Sequence, residues 1–297
     1  MEHTLRTLYN YYTAVYRNRN TEVEQNYKYN FEKYILQYFG DREISSITPS
    51  EIQLALNRMN GKSQTTIRSV VGDLKLIIRH SYIDGYICMD FSPYLANPKH
   101  MRGGMRRALT KEERATVIAV AQTQRKYYAY LFMILCGARP SEAFAIEKED
   151  IDFEKQTVHI KGTKTALSDR VVPCPTVILT IAEKSLCGLL CASQSGMKVN
   201  KEMQRRIWHS FFIDCHRYMG GSIYRNAPIE PYPFGKDLTA YNLRHEYCTE
   251  LARNGVDIRI TQRLMGHSSL DMTMNVYTNL SAEDIDTELV REIINKK

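Results

Sequence analysis

The chain has 297 residues, 43% hydrophobic and 25% charged, with a formal charge of +7. That length is enough for two ordinary domains and a substantial core, and the composition is that of a soluble globular protein. No apolar run approaches the roughly 20 residues of a membrane span, and the opening MEHTLRTLYN lacks the basic-then-apolar pattern of a signal peptide, so a cytoplasmic protein without a membrane partner is expected.

The first part of the chain reads as helical. NYKYNFEKYILQYFG predicts a helix closed by Gly40. Thr48-Pro49 starts a second, PSEIQLALNRM, with Pro at an early position and Glu51 in the first turn. Ile67, Val70, Val71, Leu74, Ile77 and Ile78 recur at helical spacing and predict a third. Eight of the 20 tyrosines fall in residues 1–40, where packing in the core and on helix faces is the expected role for most.

Pro98 and two glycines in NPKHMRGGMRRALT mark a linker. The charge excess gathers there. Residues 1–98 carry 11 Lys or Arg against 10 Asp or Glu, whereas KHMRGGMRR, residues 99–107, has four basic residues (Lys99, Arg102, Arg106 and Arg107) and no acid. A positive linker between two lobes suits closure around a rod of negative charge.

Beyond it, Thr110 with Glu113 forms a capping-box signature for the helix KEERATVIAVAQ. An apolar helix, YYAYLFMILCG, follows, and another begins near Pro140. TVHIKGTKTALSDRVVPC holds two short β-branched runs around a polar turn and predicts a hairpin. Helices are expected again around 176–190, 202–219, 239–254 and 257–265, and a last amphipathic one over 281–295 puts Ile285, Leu289 and Ile293 on one face. The fold class is therefore mainly α: a helical N-terminal domain, a basic linker, and a larger, mostly helical domain with one small β-sheet.

The seven cysteines are odd in number and scattered among apolar neighbours, which predicts reduced, buried thiols. Cys187 and Cys191, with His209 and His216 downstream, have a zinc-like look, but CGLLC reads as an apolar helix face, so no metal site is expected.

Several residues could carry chemistry. Arg139, in GARPSEAFAIEKEDI, sits in an apolar neighbourhood and needs a carboxylate or a phosphate; Glu142 is three residues on. In YNLRHEYCTEL, Tyr241 and Arg244 share a helix face, with Leu243, Tyr247 and Leu251 on the buried side. Arg244 is thus expected at the edge of a packed helix. Lys161 and Lys164 lie at the hairpin turn, and MGHSSLDMTMNVYTN places His267 ten residues before Tyr277.

The ordered set of Arg139 with Glu142, GTKT, YNLRH and GHSS followed by NVYTN resembles the tyrosine recombinases, most closely the integrases of phages and conjugative transposons. The resemblance runs through motifs over residues 110–280 and covers residues 1–98 only as a helical core-binding lobe. It implies a core-binding domain at 1–98, a DNA-contacting linker at 99–109 (Lys99, Arg102, Arg106, Arg107), a catalytic domain at 110–280 and a protomer-bridging C-terminal helix at 281–297. It also implies the chemistry. Arg139 and Arg244 would hold the non-bridging oxygens of a DNA phosphate, Tyr277 would attack it, and the hairpin lysine, Lys164 or else Lys161, would protonate the leaving oxygen. His267 would hydrogen-bond the phosphate, and Glu142 would support Arg139. Neither a metal nor a nucleotide cofactor is needed, because the guanidiniums supply the charge and the phosphotyrosyl bond conserves the energy of the broken one.

Expected partners are double-stranded target DNA, further copies of the chain (a tetramer on DNA, a dimer or monomer off it) and accessory DNA-bending or directionality proteins, with the nucleoid as the location. Many integrases of mobile elements have an additional N-terminal arm-binding domain, and this sequence opens directly on the helical lobe: a simpler recombinase, or one from which that domain was removed. One position departs from the pattern, since the family's usual His three residues before the second Arg is Tyr241, a poor proton shuttle near pH 7. His245 is expected to be structural. A type IB-like topoisomerase shares the nucleophile and both arginines, and a catalytically decayed DNA-binding regulator is the non-enzymatic alternative. No acidic triad of a metal-dependent transposase stands out.

Overall fold

The structure is a computed structural model that describes residues 3–17, 21–99, 106–162, 166–185, 188–192 and 197–278. The chain divides into two compact units, Met1–Met105 and Arg106–Lys297.

In the first unit, helix α1 (Leu5–Tyr16) begins at Thr4, whose hydroxyl accepts the Thr7 N–H at 3.3 Å. Helix α2 (Thr21–Phe31) passes through a π-helical turn, Glu32–Leu36, into the short α3 (Gln37–Phe39), and the run ends at Gly40 as expected. Helix α4 (Pro49–Asn57) has a complete capping box: the Thr48 N–H donates to Glu51 at 2.8 Å and the Glu51 N–H to the Thr48 hydroxyl at 3.3 Å. Helix α5 (Gln64–Ile83) buries the whole predicted stripe from Ile67 to Ile78 against Leu5, Leu8, Phe31, Ile35, Ile52 and Leu56. Each such side chain contributes about 1.5–3 kcal/mol by leaving water. The early tyrosines behave less uniformly than expected. Tyr9 and Tyr12 are buried, but Tyr11, Tyr16, Tyr29 and Tyr38 are between 47% and 62% exposed, because their helices turn only one face inward.

In the second unit, Thr110 and Glu113 cap helix α6 (Lys111–Ala121) as predicted. Helix α7 (Tyr128–Cys136) is buried on nearly every side, which is why its sequence is apolar throughout. It ends at Gly137 in the left-handed conformation, φ 64°, and the short helix α8 (Pro140–Ala143) follows at once. The expected hairpin forms from β2 (Thr157–Ile160) and β3 (Arg170–Pro173), and β1 (Ile151–Asp152) extends it to an antiparallel sheet of order β1-β2-β3. The register sets Val158 opposite Val172 and Ile160 opposite Arg170, all on the buried face.

Helix α9 (Thr176–Lys184) is shorter than the 176–190 expected. The Lys148 ammonium takes the Glu183 and Ser185 carbonyls at 3.1 and 2.7 Å, and Leu189 forms a bridge with Glu147. Leu190 and Cys191 therefore enter the core as irregular chain, not as a helix face. Helix α10 (Lys201–Tyr218) leads to an unexpected second hairpin, β4 (Ile223–Tyr224) and β5 (Ala227–Pro228), turning on Arg225 and Asn226 with φ 47° and 61°. Helices α11 (Ala240–Arg253), α12 (Ile258–Met265) and α13 (Asp271–Tyr277) complete the unit, with α11 packed along α7. The helix expected over 281–295 lies outside the described residues. Among those described, no helix is long and apolar enough to cross a membrane, and no group of His, Cys, Asp and Glu could hold a metal ion; Cys187 is outside them.

Candidate active site

Two glycines frame the site. Gly137 ends α7 and Gly266 ends α12, both in the left-handed conformation. Helix C-termini present unpaired carbonyls that attract cations, and here they collect arginines. The last carbonyls of α12 take one each: Leu264 accepts from Arg170 Nε at 2.7 Å, Met265 from Arg244 Nη2, and Gly266 from Arg139 Nη2 at 2.8 Å. The Gly137 carbonyl accepts from both Arg244 Nη1 and Arg170 Nη2.

One carboxylate serves all three guanidiniums. Glu142 Oε1 lies 2.6 Å from Arg139 Nη1, while Oε2 accepts the Arg139 backbone N–H at 2.8 Å and faces Arg170 Nη2 at 3.2 Å and Arg244 Nη1 at 3.8 Å. The Arg139 side chain keeps 23% of its surface exposed, against 7% for Arg244 and 5% for Arg170, so Arg139 is the member open to a ligand from solvent. Burial, then repulsion from Arg139 and Arg170, pushes the Arg244 pKa down to about 9, still a cation at neutral pH. Burial raises the Glu142 carboxyl, but the Arg139 N–H and the neighbouring guanidiniums outweigh it and bring its pKa below the ordinary value. Positive charge thus exceeds negative in a largely desolvated place. That is costly unless an anion arrives, and two guanidinium forks match a phosphate.

His267 follows Gly266 and is 7% exposed. Its Nδ1 meets the Thr273 hydroxyl at 3.0 Å, and Nε2 has no partner among the described residues. Burial and then the Arg244, Arg139 and Arg170 charges lower its pKa to about 4, so it is neutral at pH 7. Tyr241 and Arg244 do not share surroundings as their spacing predicts. Arg244 lies inside with Leu243 and Tyr247, while Tyr241, in the first turn of α11, is 49% exposed under the Arg106 guanidinium, 5.2 Å from its ring centroid.

Tyr277 ends α13, and its hydroxyl hydrogen-bonds the Val256 carbonyl and, at 2.6 Å, the Thr261 hydroxyl. Burial raises its pKa, and none of the three arginines is among the charges acting on it. In this resting arrangement the phenol is engaged by α12 and the turn before it, not by the guanidiniums.

The remaining candidates are more scattered. Lys164 and Arg102 lie outside the described residues. Lys161 pairs with Asp150 at 2.6 Å and Glu147 at 3.7 Å. Lys99 is exposed, and its backbone N–H donates to Asn60 at 3.1 Å. Arg106 is exposed, whereas Arg107 is clamped between Glu113, at 2.6 and 2.7 Å, and Asp237, at 2.8 Å. Sequence reasoning missed Arg170. Its signal was the period-two alternation of RVVP, which puts Arg170 on the same buried face as Val172.

A largely desolvated cluster of three guanidiniums with a single carboxylate, a neutral histidine beside it and a tyrosine on the adjoining helix define a protein built to act on a phosphate ester. The chain matches the phage integrase family over residues 107–284 and the N-terminal SAM-like domain of phage integrases over residues 4–60. It is 30% identical to the tyrosine recombinase XerA of Thermococcus kodakarensis over 261 residues, 87% of this chain and 85% of that protein. Among solved structures it resembles the Tn1549 transposon integrase in complex with transposon right end DNA, with a TM-score of 0.71 at 18% identity over 97% and 99% of the two chains. It also resembles the lambda integrase tetramer bound to a Holliday junction, with a TM-score of 0.68 at 17% identity over 94% and 79%. The chain belongs to the phage integrase family of tyrosine recombinases and is an enzyme of site-specific DNA recombination.

Proposed function

We propose that recombination runs through attack of the Tyr277 phenol on a DNA backbone phosphate held by Arg139 and Arg244. The phenolic oxygen bonds to phosphorus and gives up its proton to water. The bond from phosphorus to the 5′ oxygen breaks, leaving a 3′-phosphotyrosine. The departing oxygen takes a proton from a lysine of the β2–β3 turn, Lys164 in the first place and Lys161 in the second, and becomes a 5′-hydroxyl. His267 donates a hydrogen bond to the phosphate through Nε2, Glu142 holds Arg139, and Tyr241 orients the phosphate without moving protons. Attack by the 5′-hydroxyl of a partner strand reverses the step and needs no nucleotide, because the phosphotyrosyl bond retains the energy of the bond it replaced.

The observation that carries this reading is the grouping of three guanidiniums, two of them buried and that of Arg139 partly open, around the single carboxylate of Glu142. Phosphoryl transfer places its developing charge on the non-bridging oxygens, and preorganised donors stabilise that charge most where water is excluded. Because the Tyr277 hydroxyl is bound to Val256 and Thr261, attack requires those two bonds to break.

The same reading extends to the assembly. Residues 1–98 form the core-binding domain, and residues 99–109 contact the DNA backbone through Lys99, Arg102 and Arg106, while Arg107, expected from the sequence to join them, is held by Glu113 and Asp237. Four copies on DNA, bridged by residues 281–297, exchange strands through a Holliday junction, as the lambda integrase tetramer suggests. Accessory bending or directionality proteins and a location on the nucleoid follow from that role. The test is incubation with a nicked duplex carrying the crossover sequence. A covalent protein–DNA adduct is expected for the wild type and none for Tyr277→Phe; an undiminished adduct in the variant removes Tyr277 as nucleophile.

A further inference from the structure

Arg170 has no part in the chemistry above, yet it is the most fully engaged side chain of the site. Nε donates to the Leu264 carbonyl at 2.7 Å, Nη1 to the Ser168 carbonyl at 2.9 Å, and Nη2 to the Gly137 carbonyl at 3.1 Å and to Glu142 at 3.2 Å. A guanidinium has five N–H donors in a fixed fork. With these contacts made and only 5% of the side chain exposed, no bidentate edge is left for a phosphate.

The four acceptors belong to the segments that carry the other functional groups. Leu264 lies in the last turn of α12, just before Gly266 and His267. Gly137 and Glu142 flank Arg139. Ser168 lies in the β2–β3 turn, and Arg170 faces Ile160 across the strands at its mouth, next to Lys161. The packing there is close. A methyl group built on Gly266 would stand 2.9 Å from the Leu167 carbonyl and 3.1 Å from Arg170 Nη1.

We infer that Arg170 is a positioning residue: it fixes the root of the lysine-bearing turn, the His267 loop and the Arg139 segment relative to one another, without touching the scissile phosphate. This deepens, and rests on, the reading of Tyr277, Arg139 and Arg244 given above. Lysine cannot substitute, because a point-like ammonium with three donors does not span acceptors spread around a planar fork. Arg170 acts also by charge, since it is one of the three cations that hold His267 neutral.

The test uses the full-length protein with Arg170→Lys and Arg170→Met on nicked substrate, following adduct formation at saturating DNA together with DNA affinity. A displacement of about 1 Å at a reacting centre costs roughly 100-fold in rate. Both variants are therefore expected to bind DNA close to wild type and to cleave roughly 100-fold more slowly. In Arg170→Met, but not Arg170→Lys, the acid limb of the pH–rate profile is expected to move to higher pH, because one cation fewer opposes protonation of His267. Cleavage at the wild-type rate by a folded variant, or a loss confined to affinity, overturns the inference. If neither variant folds, the assigned arginine Nε–H resonances of the wild type decide. Arg170 is expected to stay protected and unmoved on adding DNA while Arg139 and Arg244 shift, and a shift of Arg170 comparable to theirs overturns it. A wild type whose adduct persists in Tyr277→Phe overturns the underlying reading instead; a sound Tyr277 dependence with unaffected Arg170 variants overturns only the role of Arg170.

Discussion

At the scale of single residues, charge decides how the site behaves with pH. His267 titrates near 4 in the folded chain and near 6.5 when unfolded. Between those values the unfolded chain binds the proton and the folded chain does not, so protonation favours unfolding. The contribution of His267 is complete above pH ~6.5 and is lost as pH falls toward 4. Urea titrations across that window should give a stability that falls with pH, and His267→Gln should flatten the fall. Bound DNA brings negative charge to the same place and should raise the His267 pKa, which an NMR titration with and without a cognate duplex would read. Tyr241 tests a different point. Half-exposed beneath Arg106, it is proposed to orient the phosphate without moving protons, and phenylalanine retains its ring contact with Arg106. Tyr241→Phe should therefore keep most adduct-forming activity; a loss matching that of Tyr277→Phe would show a phenol doing proton work.

At the scale of elements, the site is a set of helix ends, and their glycines are its least replaceable parts. Gly266→Ala forces a left-handed alanine (φ 61°) and sets its methyl 2.9 Å from the Leu167 carbonyl. A loss of about 1–2 kcal/mol is expected from the backbone alone, visible as a lower melting temperature. Cleavage should fall further than stability predicts, because the Gly266 carbonyl, which moves with its own backbone, is the one that holds Arg139. Much of this level was legible in the sequence. Capping pairs such as Thr48 with Glu51 and Thr110 with Glu113 act over three residues and are local in cause. The stripe of α5 and the apolar run of α7 announced their burial in the same way. What stayed hidden depends on distant partners. Nothing near Lys184 says that Lys148 will take the carbonyls that end α9. The β4–β5 turn uses Arg225-Asn226, not the Asn-Gly pair that marks such hairpins. The alternation of RVVP turns Arg170 inward, but only tertiary packing gives it its partners, and a three-residue spacing did not reveal that Tyr241 is outside while Arg244 is inside.

At the scale of the whole molecule, the basic stretch that runs into the second unit divides into two roles. Arg107 is consumed by Glu113 and Asp237, which join the start of α6 to the segment before α11, whereas Arg106 stays exposed. Arg106→Ala should lower the slope of log affinity for DNA against log salt by about 0.9, the release expected for one phosphate contact, and leave melting unchanged. Arg107→Ala should do the reverse, lowering the melting temperature with little change in that slope. A reduced slope in both variants would mean that the Arg107 clamp opens on DNA.

The docking of Tyr277 on Val256 and Thr261 has a consequence for an enzyme that must search. A protein of this kind meets vastly more random sequence than target, and a reactive phenol aimed permanently at the backbone would scar each stretch it visited. On the role proposed for Tyr277, two neutral hydrogen bonds of about 1 kcal/mol each hold the phenol back roughly 30-fold during scanning, and a modest preference of the correct complex for the freed arrangement is enough to arm it. Under that proposal, restraint of this size makes a stray cut rarer without slowing the cut once the right site is found.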